Sequence, residues 1–123
     1  MDILIVDDEG NIRRALRALL ETEGHRVVEA ESAEDGLAEL DHRTPDVVLL
    51  DLALPGMSGL DALPRIQTAA PEAAVIMMSG QASLTDAVAA TRLGAFHFIE
   101  KPLTPVAVLL TVRGAGEVVR ARD

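Results

Sequence analysis

Ile3-Leu4-Ile5-Val6-Asp7-Asp8 and Val47-Val48-Leu49-Leu50-Asp51 decide how this chain is read. Each is a short, unbroken apolar run that ends in acid. Such a run is the mark of a strand buried on both faces, as in a parallel sheet covered by helices. Sheets of that class hold ligands in the crevice beyond the carboxyl ends of their strands. The two runs therefore deliver Asp7, Asp8 and Asp51 to the edge where chemistry occurs. Three carboxylates in one crevice repel, and each raises the pKa of the others unless a cation stands among them. A hard divalent cation, Mg²⁺ (or Mn²⁺), suits the set, because it takes oxygen ligands and keeps waters for a phosphate-type substrate.

Outward from these runs, strand and helix patterns alternate five times. Strands read at about 2–6, 26–30, 46–50, 74–78 and 96–99, and helices at about 10–23, 33–42, 59–69, 83–93 and 104–121. Strict alternation specifies an α/β fold: a flavodoxin-like, doubly wound parallel sheet of five strands with helices on both faces. The common small version has strand order 2-1-3-4-5. In that order strands one and three are neighbours. The acids then meet through topology rather than through nearness in sequence.

Local signals support the elements. Ile12, Leu16, Leu19 and Leu20 share one face of the first helix, with Arg13, Arg14, Arg17 and Glu21 opposite and Gly24 as its stop. Ser32 is an N-cap with Asp35 three residues on, and Ser58 can cap the third helix. Pro64 falls inside that helix and predicts a kink or a late start. The fifth helix is apolar nearly all round, through Val106, Ala107, Val108, Leu109, Leu110 and Val112. The fourth is poor in charge, with Thr85, Val88, Ala89 and Arg92 as its outward candidates. Apolar faces of this kind mark interfaces, and helices four and five are read as a docking or homodimer face. Asp substituted at Val108 or Leu109 is expected to break that dimer. Gly114 and Gly116 weaken the end of the fifth helix. Residues 117–123 are expected to fray or to begin a linker to an output domain, with 1–123 forming one domain.

Composition narrows the function. Of 123 residues 49% are hydrophobic, yet only two are aromatic, both Phe. The core must be aliphatic, and a surface so poor in aromatic platforms is not expected to recognise nucleic acid by base stacking. The net charge of −9 also opposes contact with nucleic acid or an anionic membrane. Residues 1–61 carry a charge of −10 and residues 62–123 a charge of +1, so the acid is concentrated in the half that holds the crevice. There is no Cys, hence no disulfide or zinc-thiolate site. No apolar run reaches membrane-spanning length and no signal peptide is seen, so a cytoplasmic location is expected. His25, His42 and His97 lack paired ligand spacing and are read as surface residues.

Asp51 is the leading nucleophile candidate, at a strand end before the tight loop Leu52-Ala53-Leu54-Pro55-Gly56. A carboxylate can attack phosphorus to form an acyl phosphate, provided the anionic approach is neutralised. Ser79 ends the fourth strand, with Gly80 giving room, and Lys101 follows the fifth. A hydroxyl and an ammonium at the same edge can hold phosphoryl oxygens. Singly, each residue reads more often as a turn, a cap or a solvated charge. Their joint placement after strands one, three, four and five carries the argument.

Over essentially its full length the chain resembles the receiver domain of a two-component response regulator. The segments that carry the resemblance are Ile5-Val6-Asp7-Asp8-Glu9, Leu50-Asp51-Leu52-Ala53-Leu54-Pro55-Gly56-Met57-Ser58-Gly59, Met78-Ser79-Gly80 and Phe98-Ile99-Glu100-Lys101-Pro102. The resemblance implies that Asp51 accepts a phosphoryl group from a sensor histidine kinase. It implies Mg²⁺ ligation by Asp8, Asp51 and the backbone carbonyl of Ala53, with Asp7 acting through a metal-bound water. Ser79 and Lys101 would contact phosphoryl oxygens. Phe98 matches the aromatic switch position, and Ala53 and Gln81 match positions that tune dephosphorylation. Ala53 is too small to shield the acyl phosphate and Gln81 could orient water, so hydrolysis is expected not to be unusually slow.

Met77-Met78-Ser79-Gly80-Gln81-Ala82-Ser83, Ala87-Val88 and the stretch from Gly94 to Pro102 are most similar to receivers of nitrogen-regulation-type, sigma-54-dependent activators. Those proteins carry an ATPase and a DNA-binding domain beyond the receiver. No Gly-rich phosphate loop with Lys-Ser/Thr occurs here, so this segment is not the ATPase. The chain is read as a self-modifying switch rather than an enzyme acting on a foreign substrate. An Asp-nucleophile phosphatase would carry a second Asp where Ala53 stands. A flavin binder would carry a Ser/Thr/Gly loop where the acid pair stands. A phosphate-independent interaction domain is the remaining alternative.

Overall fold

The structure, a computed structural model, describes residues 1–81 and 84–121. Its elements are β1 (Asp2–Val6), α1 (Gly10–Thr22), β2 (Arg26–Ala30), α2 (Ala33–Glu39), β3 (Val47–Asp51), α3 (Gly59–Ala69), β4 (Ala74–Ser79), α4 (Leu84–Arg92), β5 (His97–Glu100) and α5 (Pro105–Ala121). The strands form one parallel sheet in the order β2-β1-β3-β4-β5. Both the alternation and the order expected from the sequence are present. The last three strands run one residue further than their apolar patterns. Main-chain pairing does not require an apolar side chain, so Asp51 still pairs with Met78 and Ser79 with Glu100. α2 stops at Glu39, short of the expected 42, and tight turns then carry the chain through Asp41 and His42.

Alternating residues of the central strands feed two cores, one on each face of the sheet. Ile3, Ile5, Val47, Leu49, Ile76 and Met78 pack with α1 and α5. Leu4, Val6, Val48, Leu50, Val75 and Met77 pack with α2, α3 and α4. Burying each Leu, Ile or Met of this kind contributes roughly 1.5–3 kcal/mol. β3 is buried along its whole length, which is why its sequence is continuous rather than alternating.

The helix ends follow local chemistry. Gly24 has φ +84°. It lets its own N–H reach Glu21 O at 3.0 Å and the His25 N–H reach Leu20 O at 3.3 Å, a Schellman stop for α1. The Ser32 hydroxyl accepts from the Asp35 N–H at 3.0 Å, and the Ser58 hydroxyl from the Asp61 N–H at 3.1 Å. Pro64 does not delay α3, which begins directly after its cap. Its ring faces solvent, where the Leu60 carbonyl left without an N–H partner can be hydrated.

Three expectations need correction. Arg13 does not stand on the solvent side of α1: its side chain is only 11% exposed and lies against β2. A guanidinium with a half-buried carboxylate and a main-chain carbonyl as partners is stable where an apolar helix face would otherwise be expected. Val108 is buried and Leu109 is packed against the first core, so neither belongs to an open face of α5; Val106 and Leu110 do. His25 is half-buried beside Met1, whereas His42 and His97 are exposed. α5 is helical through Ala121, with Val119 buried and Gly116 set against Met1. Arg122 and Asp123 lie outside the described residues, as do Ala82 and Ser83 at the expected start of helix four.

Candidate functional site

The pocket is assembled at the carboxyl edge of the sheet from residues just past β1, β3, β4 and β5. Asp7 follows β1 and its N–H still reaches Ala30 O at 3.2 Å. Its carboxylate is fully buried. One oxygen accepts from the Glu9 N–H at 2.9 Å and the other from Lys101 Nζ at 2.9 Å. Asp8 is exposed at the rim. Asp51, the last residue of β3, is 4% exposed, and its Oδ1 lies 3.5 Å from Lys101 Nζ. One carboxylate oxygen from each of Asp7, Asp8 and Asp51 falls within 4.8 Å of the others. Glu9 is the N-cap residue of α1, and its carboxylate stands 3.8 Å from Lys101 Nζ. One ammonium thus faces three carboxylates, those of Asp7, Glu9 and Asp51.

Burial and the negative charge of Asp7 hold the Asp51 carboxyl above its ordinary pKa; Lys101 and the Ala53 N–H oppose that shift without cancelling it. Desolvation pulls the Lys101 ammonium down, but its bond to Asp7 and the charges of Asp51, Asp7 and Glu9 outweigh this and hold it above its usual value. The lysine is therefore a fixed positive charge. The electrostatics ask for a further cation, and the donors available are hard oxygens, the kind that suit Mg²⁺ or Mn²⁺. Asp7, Asp8 and Asp51 fit that group by identity and mutual distance.

Ser79 is buried at the end of β4, and its Oγ accepts from the Gln81 N–H at 3.2 Å. The Lys101 N–H donates to Ser79 O at 2.7 Å, which ties the hydroxyl-bearing and ammonium-bearing segments together. The peptide bond between Lys101 and Pro102 is cis. Ala53 and Gln81 are exposed beside the pocket. Phe98 pairs in register with Met77 and packs half-buried in the second core. Ser79 continues the Val75 and Met77 face of β4, so Ser79 and Phe98 share one face of the sheet. All the site residues expected from sequence come to this one edge, except Phe98, which sits one step inside it.

Two contributors carry little sequence signal. A Cβ on Gly59 would sit 2.0 Å from the Asp51 carbonyl oxygen, so only glycine lets α3 begin against the end of β3. Gly80, by contrast, has only an ordinary contact at 3.8 Å to Lys101. The second is Arg13, whose Nη1 donates to the Asp7 main-chain oxygen at 2.7 Å. A buried partner for a basic residue of an amphipathic helix is visible only once β2 is placed beside α1.

A family model described as response regulator receiver domain matches residues 3–113. The nitrogen assimilation regulatory protein NtrX of Azorhizobium caulinodans is 40% identical over 123 residues, covering 98% of this chain and 27% of that protein. The crystal structure of a CheY-like receiver domain protein from Methanospirillum hungatei superposes with a TM-score of 0.95 at 32% identity, covering 99% of this chain and 98% of the other. That of NtrX from Brucella abortus in complex with ATP gives 0.92 at 39% identity, covering 98% of this chain and 28% of the other. The chain thus spans about a quarter of the length of the NtrX proteins it matches. From the order of its strands to the receiver match across residues 3–113, the chain belongs to the response regulator receiver domain family of two-component signalling.

Proposed function

We propose that Asp51 accepts a phosphoryl group from a phosphohistidine of a sensor kinase. With the phosphohistidine ring protonated on its other nitrogen, the phosphorus–nitrogen bond breaks, a bond from phosphorus to an Asp51 carboxylate oxygen forms, and the histidine leaves as neutral imidazole. The observation that carries this reading is the setting of Asp51: a buried carboxylate with an ammonium at 3.5 Å and two further acids within 4.8 Å. Asp8, Asp51 and the Ala53 carbonyl would hold Mg²⁺, with Asp7 acting through water. The ion supplies charge neutralisation for the incoming phosphoryl oxygens. Lys101 then bonds one of those oxygens, and the Ser79 hydroxyl turns to another. Ala53 leaves the acyl phosphate open to water that Gln81 can orient, so the modified state is transient.

Phosphorylation biases a two-state equilibrium. Movement of Ser79 opens space on the face it shares with Phe98, and the ring turns inward. A Phe has no hydroxyl, so the face of α4, β5 and α5 reports the change by packing alone. Among the described residues, the exposed large apolar side chains are Leu84, Val88, Leu93, Phe96, Val106 and Leu110, all on or beside that face. This supports homodimerisation there. An apolar groove of about 330 Å³ between α1 and the start of α5, lined by Ile12, Ala15, Leu19, Pro102, Leu103 and Pro105, opens beside Lys101 and suits a kinase helix. The output is transcriptional, through ATPase and DNA-binding domains of a longer cytoplasmic protein. The short span relative to NtrX supports this, as does the ATP named in the Brucella structure. Residues 1–123 form the receiver unit, and a linker to the output domain begins near 117–123.

Intact mass after incubation with acetyl phosphate tests the reading. One adduct should form with Mg²⁺, be absent with chelator and in Asp51→Asn, and be removed by hydroxylamine. An adduct that persists in Asp51→Asn would refute the assignment. No adduct, even with a cognate kinase, would favour the phosphate-independent interaction domain.

A further inference from the structure

Arg13 turns inward from α1, where Arg14 and Arg17 stay nearer the surface. Its guanidinium bridges three segments. Nε pairs with Glu29 Oε1 of β2 at 3.2 Å, Nη2 lies 3.7 Å from Glu31 Oε1, and Nη1 donates to the Asp7 main-chain oxygen at 2.7 Å. Glu29 is held from its other side by Arg17 Nη1 at 2.9 Å. The β1–β2 ladder ends at Val6 and Ala30, so the Asp7 carbonyl takes its hydrogen bond from this guanidinium instead of from a strand.

The Asp7 carbonyl and the Asp8 N–H belong to one rigid peptide plane. Fixing the carbonyl fixes the plane and with it the position of the Asp8 Cα, which narrows the directions open to the Asp8 side chain. Asp7 and Asp51 are anchored by burial and by Lys101, whereas Asp8 is exposed and has no such hold. We propose that Arg13 is a positioning residue for the cation site, a fork that clamps the Asp7–Asp8 peptide to β2 and keeps the Asp8 carboxylate in range of the other two. The proposal rests on the cation site of the preceding section.

Two effects of removing Arg13 have opposite signs. Loss of a nearby positive charge makes an acidic site more attractive to a cation. Loss of the clamp makes it less attractive, because one ligand is no longer pre-set, and outer-shell losses of this kind typically cost 10–100-fold in metal affinity. Mn²⁺ binding followed by electron paramagnetic resonance should therefore weaken about tenfold or more in Arg13→Gln. Arg13→Lys should weaken it as well, since an ammonium keeps the charge but cannot fork between Glu29 and the carbonyl. Arg14→Ala removes an equal charge one residue away whose hydrogen bond among the described residues goes to Asn11; its affinity should hold or rise. Arg13 variants that bind Mn²⁺ as tightly as the wild type would overturn the clamp. In metal-free Arg13→Lys the backbone amide resonance of Asp8 should move while that of Val48, in the core of β3, stays; an unmoved Asp8 amide in the folded variant would also overturn it. A wild-type protein that binds no Mn²⁺ would refute the cation site itself, a separate failure, and the metal-free Asp8 resonance would still judge the clamp.

Discussion

Replacing Asp51 with Asn should stabilise the metal-free protein while abolishing phosphoryl acceptance. The Asp51 carboxylate stands within 4.8 Å of those of Asp7 and Asp8 and 3.5 Å from the Lys101 ammonium. At an effective dielectric of about 20, each repulsion at that distance is worth about 3.5 kcal/mol and the attraction about 5 kcal/mol. Repulsion exceeds attraction by about 2 kcal/mol before burial is counted, and solvent screening of exposed Asp8 trims this. Asparagine keeps the shape and can still accept from the Ala53 N–H. A gain of about 1–2 kcal/mol is expected, which for a domain of this size raises Tm by about 4–8 °C.

The pH dependence of that gain has a definite sign. Asp51 has a raised pKa in the folded state, so between its unfolded and folded values the folded protein holds the extra proton. Wild-type stability falls as pH rises through this window, and the advantage of Asp51→Asn opens there and stays constant above it. Circular-dichroism melts in chelator at low salt, at about pH 4 and about pH 8, read both the gap and its growth. Excess Mg²⁺ should narrow the gap by stabilising the wild type selectively. An Asp51→Asn protein that melts at or below the wild type at pH 8 in chelator would refute the argument that the acids are held together against their own repulsion.

Val106→Asp and Leu110→Asp should abolish any dimer in sedimentation while leaving Tm within a few degrees, because both side chains are exposed. Val108→Asp should instead unfold the domain or cost more than about 4 kcal/mol, since it places an unpaired charge in the first core. Gly59→Ala should destabilise strongly and disturb acceptance at Asp51, because its Cβ would meet the Asp51 carbonyl oxygen at 2.0 Å. Gly114→Ala, whose nearest neighbour would be Phe96 at 3.8 Å, should add about 0.5–1 kcal/mol in the same melts.

The sheet was legible because β1, β3 and β4 are buried on both faces and their sequences say so. Strand order then brought Asp7, Asp8 and Asp51 together without any distance being known. Legibility failed where a residue's partner lies on another element. Arg13 looks like any other basic residue of α1 until Glu29 of β2 is set beside it. α5 showed apolar residues on every side, so its sequence alone could not separate buried Val108 from exposed Val106 and Leu110. Gly59 depends on a main-chain approach, which leaves no trace in hydrophobic pattern. Of the two effects expected of Pro64, the late start is absent: a solvent-facing proline in a capped helix removes one backbone bond without delaying the start.

The five helices are not anchored equally. α5 buries Val108, Val112, Ala115, Gly116 and Val119, and α3 buries Gly59, Ala62, Leu63 and Ile66; α4 buries Ala90 alone. One buried methyl group is a small hold on a nine-residue helix. Local opening free energy follows buried apolar contact, so α4 occupies the low end of this domain's stability range, and its amides should exchange with solvent sooner than those of α3 or α5. The helix that packs beside β5, the strand of Phe98, is therefore the one whose displacement costs the fold least. Displacing it by a perturbation of a few kcal/mol would leave the better-anchored helices in place.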